Sequence, residues 1–80
     1  MSTVTTATTP GQRMTRARLF VGLDQNAMAE ALGKSRNTIS AWERDVNEPP
    51  LSAVAAWARL TGRSIDWIAF GDEAVHRSEG

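Results

Sequence analysis

From Pro10 to Gly71 the apolar residues return every three or four positions, the spacing of an α-helix with one buried face, and nowhere do they alternate as a strand requires. Turn and capping residues cut this pattern into five pieces. Thr9 followed by Pro10 reads as an N-cap with proline at the first helical position, which predicts helix 1 over about Pro10 to Val21, stopped by Gly22. Its buried stripe by the i, i+3, i+4, i+7 rule is Met14, Ala17, Arg18 and Val21. An arginine in such a stripe requires a carboxylate partner, because an unpaired buried charge is very costly.

Asp24 caps helix 2, about Gln25 to Leu32, in which Met28, Ala29 and Leu32 fall at helical spacing before Gly33 ends it. Ser35 caps helix 3, about Arg36 to Arg44, almost at once. Only Gly33 and Lys34 stand between helix 2 and that cap, too little chain for a wandering loop, so the two helices must pack at a fixed angle. At about 100° per residue, Ile39 and Trp42 turn to one side of helix 3, while Arg36, Asn37, Ser40, Ala41 and Arg44 spread over the other. The two prolines of DVNEPP close this segment, since a residue before proline is pushed out of the helical region. Helix 4, about Leu51 to Thr61, is expected to bury Leu51, Val54, Trp57 and Ala58, and helix 5, capped by Ser64 and ended by Gly71, to turn Ile65, Trp67 and Ile68 inward. The pattern predicts an all-α, compact five-helix domain over 10–71, a disordered Ser/Thr-rich leader over 1–9 and a polar tail over 72–80.

Eighty residues with 41% hydrophobic content and three tryptophans suffice for one core of modest stability. The absence of cysteine excludes disulfides and thiolate metal sites. The single histidine, His76, falls in the expected tail, and no carboxylates cluster with a base or at metal-ligand spacing, so neither catalysis nor a cofactor is expected. No apolar run approaches the roughly 20 residues of a membrane span, and MSTVTTATTPG lacks the apolar segment of a secretory signal, so a soluble cytoplasmic chain is expected. Net charge is zero, but its distribution is not even. Between Arg13 and Arg44 six basic residues stand against three acidic ones, and from Asp45 onward three basic against six acidic. A one-sided positive field of this kind suits a polyanion met by one face.

Two short helices at a fixed angle, the second with a core face and a polar face, are how a small protein offers side chains to the major groove of DNA. The landmarks Arg18, Gly22-Leu23-Asp24-Gln25, Met28-Ala29, Leu32-Gly33, Ser35, Thr38-Ile39-Ser40, Trp42-Glu43, Pro49 and Ser64-Ile65-Asp66-Trp67-Ile68 together resemble the lambda repressor and Cro-like helix-turn-helix domains, also called the xenobiotic-response-element type. The resemblance covers about Gly11 to Gly71. It implies a sequence-specific regulator of transcription, an operator-binding repressor of the Cro-like kind, whose partner is double-stranded DNA and which needs no small-molecule ligand. In such domains the positions of Arg36, Asn37, Ser40 and Ala41 reach base edges, that of Gln25 touches the phosphate backbone at the start of helix 2, and those of Lys34, Ser35, Thr38 and Arg44 suit phosphate contacts. Glu43 resembles the family carboxylate that pairs with the helix 1 arginine, here Arg18. Asp45 stands where the family often has glycine, so the turn after helix 3 is expected to hold an Asp in left-handed conformation. Val46 to Glu48 lacks the lysines that commonly grip phosphate there.

One recognition helix contacts only about half a turn of duplex, so a homodimer is expected, at least on DNA. Trp57, Trp67 and Phe70 are more aromatic surface than a small core absorbs, and they are the expected dimer contacts, across the end of helix 4 and helix 5. A second reading, from a different class, uses the same acidic C-terminal half to bind another protein, as an antitoxin or antirepressor would.

Overall fold

A computed structural model describes residues 9–71. Five helices follow in order, α1 (Pro10–Phe20), α2 (Gln25–Leu32), α3 (Arg36–Glu43), α4 (Leu51–Thr61) and α5 (Ile65–Phe70), and no strand occurs among the described residues. Four of the helices open on a side-chain oxygen that accepts a first-turn N–H: Thr9 from Gln12, Asp24 from Ala27, Ser35 from Thr38 and Ser64 from Trp67. Thr9 and Gln12 complete a capping box, with the Gln12 side chain accepting from the Thr9 N–H in return. α4 starts behind Pro50 without such a cap. The expected leader, apart from Thr9, and the expected tail lie outside the described residues.

The core is Met14 and Ala17 of α1, Met28 and Ala29 of α2, Ile39 and Trp42 of α3, Ala53, Trp57 and Ala58 of α4 and Ile68 of α5. Every helix contributes, so no pair of helices is independent of the rest. Trp57 has no exposed surface, and its indole N–H donates to the carbonyl of Met14 at 2.9 Å, which satisfies the buried polar atom and fastens α4 to α1. Leu23, Leu32, Val54 and Trp67 pack around this centre, partly buried.

Three expected core residues are not core. Val21 is exposed because α1 ends at Phe20 and Val21 is its C-cap, outside the helical register that would have turned it inward. Leu51 and Ile65 are also exposed; each is the first residue of its helix, and the buried faces begin later, at Ala53 in α4 and at Ile68 in α5. α3 likewise ends one residue early, with Arg44 as its C-cap.

Two buried groups on α1 had no hydrophobic signature. Gly11 brings the start of α1 against the end of α3 so closely that a Cβ there would lie 2.5 Å from the carbonyl oxygen of Glu43 and 2.6 Å from that of Trp42. Only glycine permits that approach. Arg13, also buried, sends its Nε–H to the carbonyl of Ile68 at 2.8 Å and an Nη2–H to that of Ala69 at 3.0 Å, thereby capping the last turn of α5.

Candidate nucleic-acid interface

The turn between α2 and α3 is built by Gly33, whose φ of 69° is the left-handed conformation that ends α2, and by Ser35, whose hydroxyl accepts the Thr38 N–H at 3.1 Å to start α3. Backbone bonds from Gly33 to Glu30 and from Lys34 to Ala29 close the helix end between them. α3 then lies with Ile39 and Trp42 in the core, which fixes its rotation about its own axis. Arg36, Asn37 and Arg44 stand exposed on its outer side, Lys34 and Ser35 are exposed just before it, and Thr38, Ser40 and Ala41 are half-buried along the edges. The face that the sequence assigned to bases is therefore outside, with Ser40 and Ala41 less open than Arg36 and Asn37. Arg44 folds back so that its Nε–H donates to the Ser40 hydroxyl at 3.2 Å.

Beneath this face is a buried ion pair. The Arg18 Nε–H donates to Glu43 Oε2 at 2.6 Å and an Nη2–H to Oε1 at 3.0 Å, a two-point fork between α1 and α3. An Nη1–H of the same guanidinium reaches the carbonyl of Leu23 at 2.8 Å, in the turn before α2. Gln25, the first residue of α2, donates from Nε2 to Glu43 Oε1 at 2.9 Å. Three helices thus meet on one carboxylate. Beside it opens a cleft of about 350 Å³ lined by Arg18, Asp24, Gln25, Asn26 and Arg36.

The far end of α3 is held by Asp45, whose φ is 61°. Its carboxylate accepts the Gly11 N–H at 3.0 Å and the Thr9 hydroxyl at 2.6 Å, so the left-handed residue after α3 also caps the start of α1. A glycine could take the backbone shape but not the second task.

Burial changes the charge reading. Arg13, Arg18 and Glu43 are all inside, which leaves Arg16, Lys34, Arg36 and Arg44 exposed against Asp24 and Glu30 over the same stretch. That surface remains net positive, and three of its four cations, Lys34, Arg36 and Arg44, lie on α3 or directly beside it in the chain.

The proposed dimer contacts divide. Trp57 is fully buried and bonded to Met14, so, contrary to the expectation from the sequence, it cannot meet a partner. Trp67 is half-buried with the Arg63 guanidinium 4.0 Å above its ring. Phe70 is 67% exposed.

Among the described residues no helix is long and apolar enough to cross a membrane, and no group of histidine, cysteine, aspartate and glutamate could hold a metal ion.

Comparison with known proteins matches residues 16–68 to the helix-turn-helix family. The chain is 35% identical over 65 residues to the HTH-type transcriptional regulator DicA of Escherichia coli (strain K12), covering 81% of this chain and 48% of that protein. It is 30% identical over 69 residues to the HTH-type transcriptional regulator ImmR of Bacillus subtilis (strain 168), covering 86% of this chain and 54% of that one. The chain spans about half the length of these curated relatives. Among solved structures it resembles the P22 c2 repressor in complex with a synthetic operator, with a TM-score of 0.74, 30% identity and coverage of 80% of this chain and 97% of that one. The N-terminal DNA-binding domain of SinR from Bacillus subtilis shares the fold, with a TM-score of 0.67 at 22% identity. The match over most of the five helices and the fixed α2–α3 pair lead to one assignment: this chain belongs to the helix-turn-helix family, of the lambda repressor and Cro-like kind.

Proposed function

We propose that the chain is the DNA-binding part of a cytoplasmic transcriptional regulator that occupies a double-stranded operator and represses by excluding polymerase. The observation that carries this reading is the outer face of α3, where Arg36 and Asn37 are exposed on a helix whose rotation is fixed by Ile39 and Trp42. Arg36 has the donors to bridge guanine O6 and N7, and Asn37 the donor and acceptor to bridge adenine N6 and N7. The Ala41 methyl suits a thymine methyl and the Ser40 hydroxyl suits either kind of edge. Gln25, Lys34, Ser35, Thr38 and Arg44 flank them and supply sequence-independent contacts to phosphate. Relatives described as transcriptional regulators do not favour the alternative of an antitoxin or antirepressor.

On DNA two copies lie side by side, their recognition helices one helical turn apart, about 34 Å. Phe70 and Trp67 of α5 form the contact, supported by the exposed Ile65 of the same helix and Leu60 near the end of α4. Sedimentation with a selected duplex should give two chains per site, and Phe70→Asp should abolish the second without unfolding the first. One chain per saturated duplex, on a site without an inverted repeat, contradicts the dimer.

Selection of bound duplexes from a random pool, followed by gel shift, tests the reading as a whole. Asn37→Ala should cost about 1–3 kcal/mol on the selected site and relax one base position. Arg44→Ala should weaken all sequences alike and lower the salt slope by about one. Should both substitutions leave affinity untouched, α3 does not face DNA.

A further inference from the structure

The Glu43 carboxylate receives more donors than its ion pair supplies. Arg18 alone completes the two-point fork, yet Gln25 adds a third N–H, to the same Oε1 that Arg18 Nη2 already reaches. This third bond has a directional consequence. A carboxylate in an ion pair only accepts, so the Gln25 amide must turn its nitrogen, and not its oxygen, toward Glu43. One N–H of Nε2 is then occupied, and the other is left for an acceptor in the cleft that Gln25 lines with Arg18, Asp24, Asn26 and Arg36. A solvated glutamine would show its carbonyl to that cleft as readily as its amine, and a carbonyl repels a phosphate oxygen.

We propose that Glu43, buried and out of reach of any ligand, is a positioning residue for DNA binding: through its bond to Gln25 it fixes that amide as a donor toward a backbone phosphodiester oxygen. The inference rests on the DNA-binding reading above. It makes the buried Arg18–Glu43 pair part of the binding surface at one remove, since Arg18 holds Glu43 and Glu43 holds Gln25.

The test combines affinity on a selected duplex with side-chain amide NMR of the whole chain. Gln25→Met, which keeps length and removes the donor, should weaken binding about tenfold on all sequences alike, the scale of one hydrogen bond to a charged group. Glu43→Gln frees the Gln25 amide to rotate and should give a similar loss, with Gln25→Met adding less than twofold in that background. Full additivity of the two substitutions would overturn the proposal, because a merely structural Glu43 would leave the Gln25 contact intact in the molecules that fold. Should Glu43→Gln fail to fold, the native chain decides. One Gln25 side-chain proton should be protected from exchange in the free protein, and the other should shift when duplex is added. Two protons exchanging like a solvated amide, or neither shifting on a duplex that binds, would overturn it. If no duplex binds the native chain, the DNA reading and the positioning role fall together, while the free-protein spectrum still reports whether Gln25 is bonded to Glu43.

Discussion

Arg13 and Arg18 lie on the same helix, each 6% exposed, and the surroundings of the two differ in kind. Around Arg18 the partner is a carboxylate, and the ends of α1, α2 and α3 converge on it within 3.0 Å. Around Arg13 two carbonyls are the turn-end acceptors of α5, where the helix dipole presents its negative pole. The first arrangement places two full charges inside the protein, each tolerable only because of the other. The second sets a guanidinium against the carbonyls that end a helix. The half of the molecule that carries α3 is the more exacting of the two, because losing either partner there strands a buried ion, whereas the Ile68 and Ala69 carbonyls that Arg13 caps are neutral groups.

Glu43 is where the first arrangement fails most completely. Glu43→Ala leaves the Arg18 guanidinium buried without its counter-charge and should destabilise the fold by about 3–5 kcal/mol. In a domain this small the loss approaches the whole stability, so thermal melting monitored by circular dichroism should show a largely unfolded chain at 37 °C or a greatly lowered midpoint. A melting temperature equal to that of the native chain would remove the pair from the list of what holds α3 in place.

Arg13→Met is the matched experiment in the other half. It keeps the apolar stem of the side chain and withdraws two charge-assisted bonds from the α5 carbonyls, at a cost of about 2–3 kcal/mol. Urea unfolding followed by tryptophan fluorescence measures it. A loss larger than that of Glu43→Ala would reverse the ranking of the two halves.

Asp45 supplies the smallest effect and sharpens the contrast between buried and exposed support. Its carboxylate caps α1 from the solvent side, so Asp45→Ala, which loses the cap and keeps a left-handed backbone, should cost about 1–2 kcal/mol. Asp45→Gly loses the same cap but relieves the backbone, and should cost less than Asp45→Ala. Equal midpoints for the two variants in urea would mean that the φ of 61° carries no strain.

Much of the architecture was present in local chemistry. Each of the N-caps Thr9, Asp24, Ser35 and Ser64 announces a helix in the sequence and starts one in the structure. The left-handed Asp45 was legible from a missing glycine. Misreadings cluster where periodicity is extended past its support. Val21 continues the α1 stripe on paper, but a stripe has meaning only while the chain is helical, and α1 stops at Phe20. Leu51 and Ile65 are large and apolar, yet the first residue of a helix has no preceding turn to fix which face it joins.

Length, the helix starts, the close α2–α3 turn and the polar outer face of α3 were determined by the sequence itself, because capping, glycine backbone freedom and helical spacing act over at most four residues. The partners of Gly11, Arg13 and Trp57 were decided only by the tertiary structure. No local signal says that Gly11 must be bare for the carbonyls of Trp42 and Glu43, that Arg13 will cap a helix 55 residues away, or that Trp57 will spend its indole on Met14 instead of on a second chain. Each of these depends on where distant backbone carbonyls come to rest. A carbonyl is the same group in every residue, so it leaves no mark in the sequence, and only packing can say which one a buried donor will find.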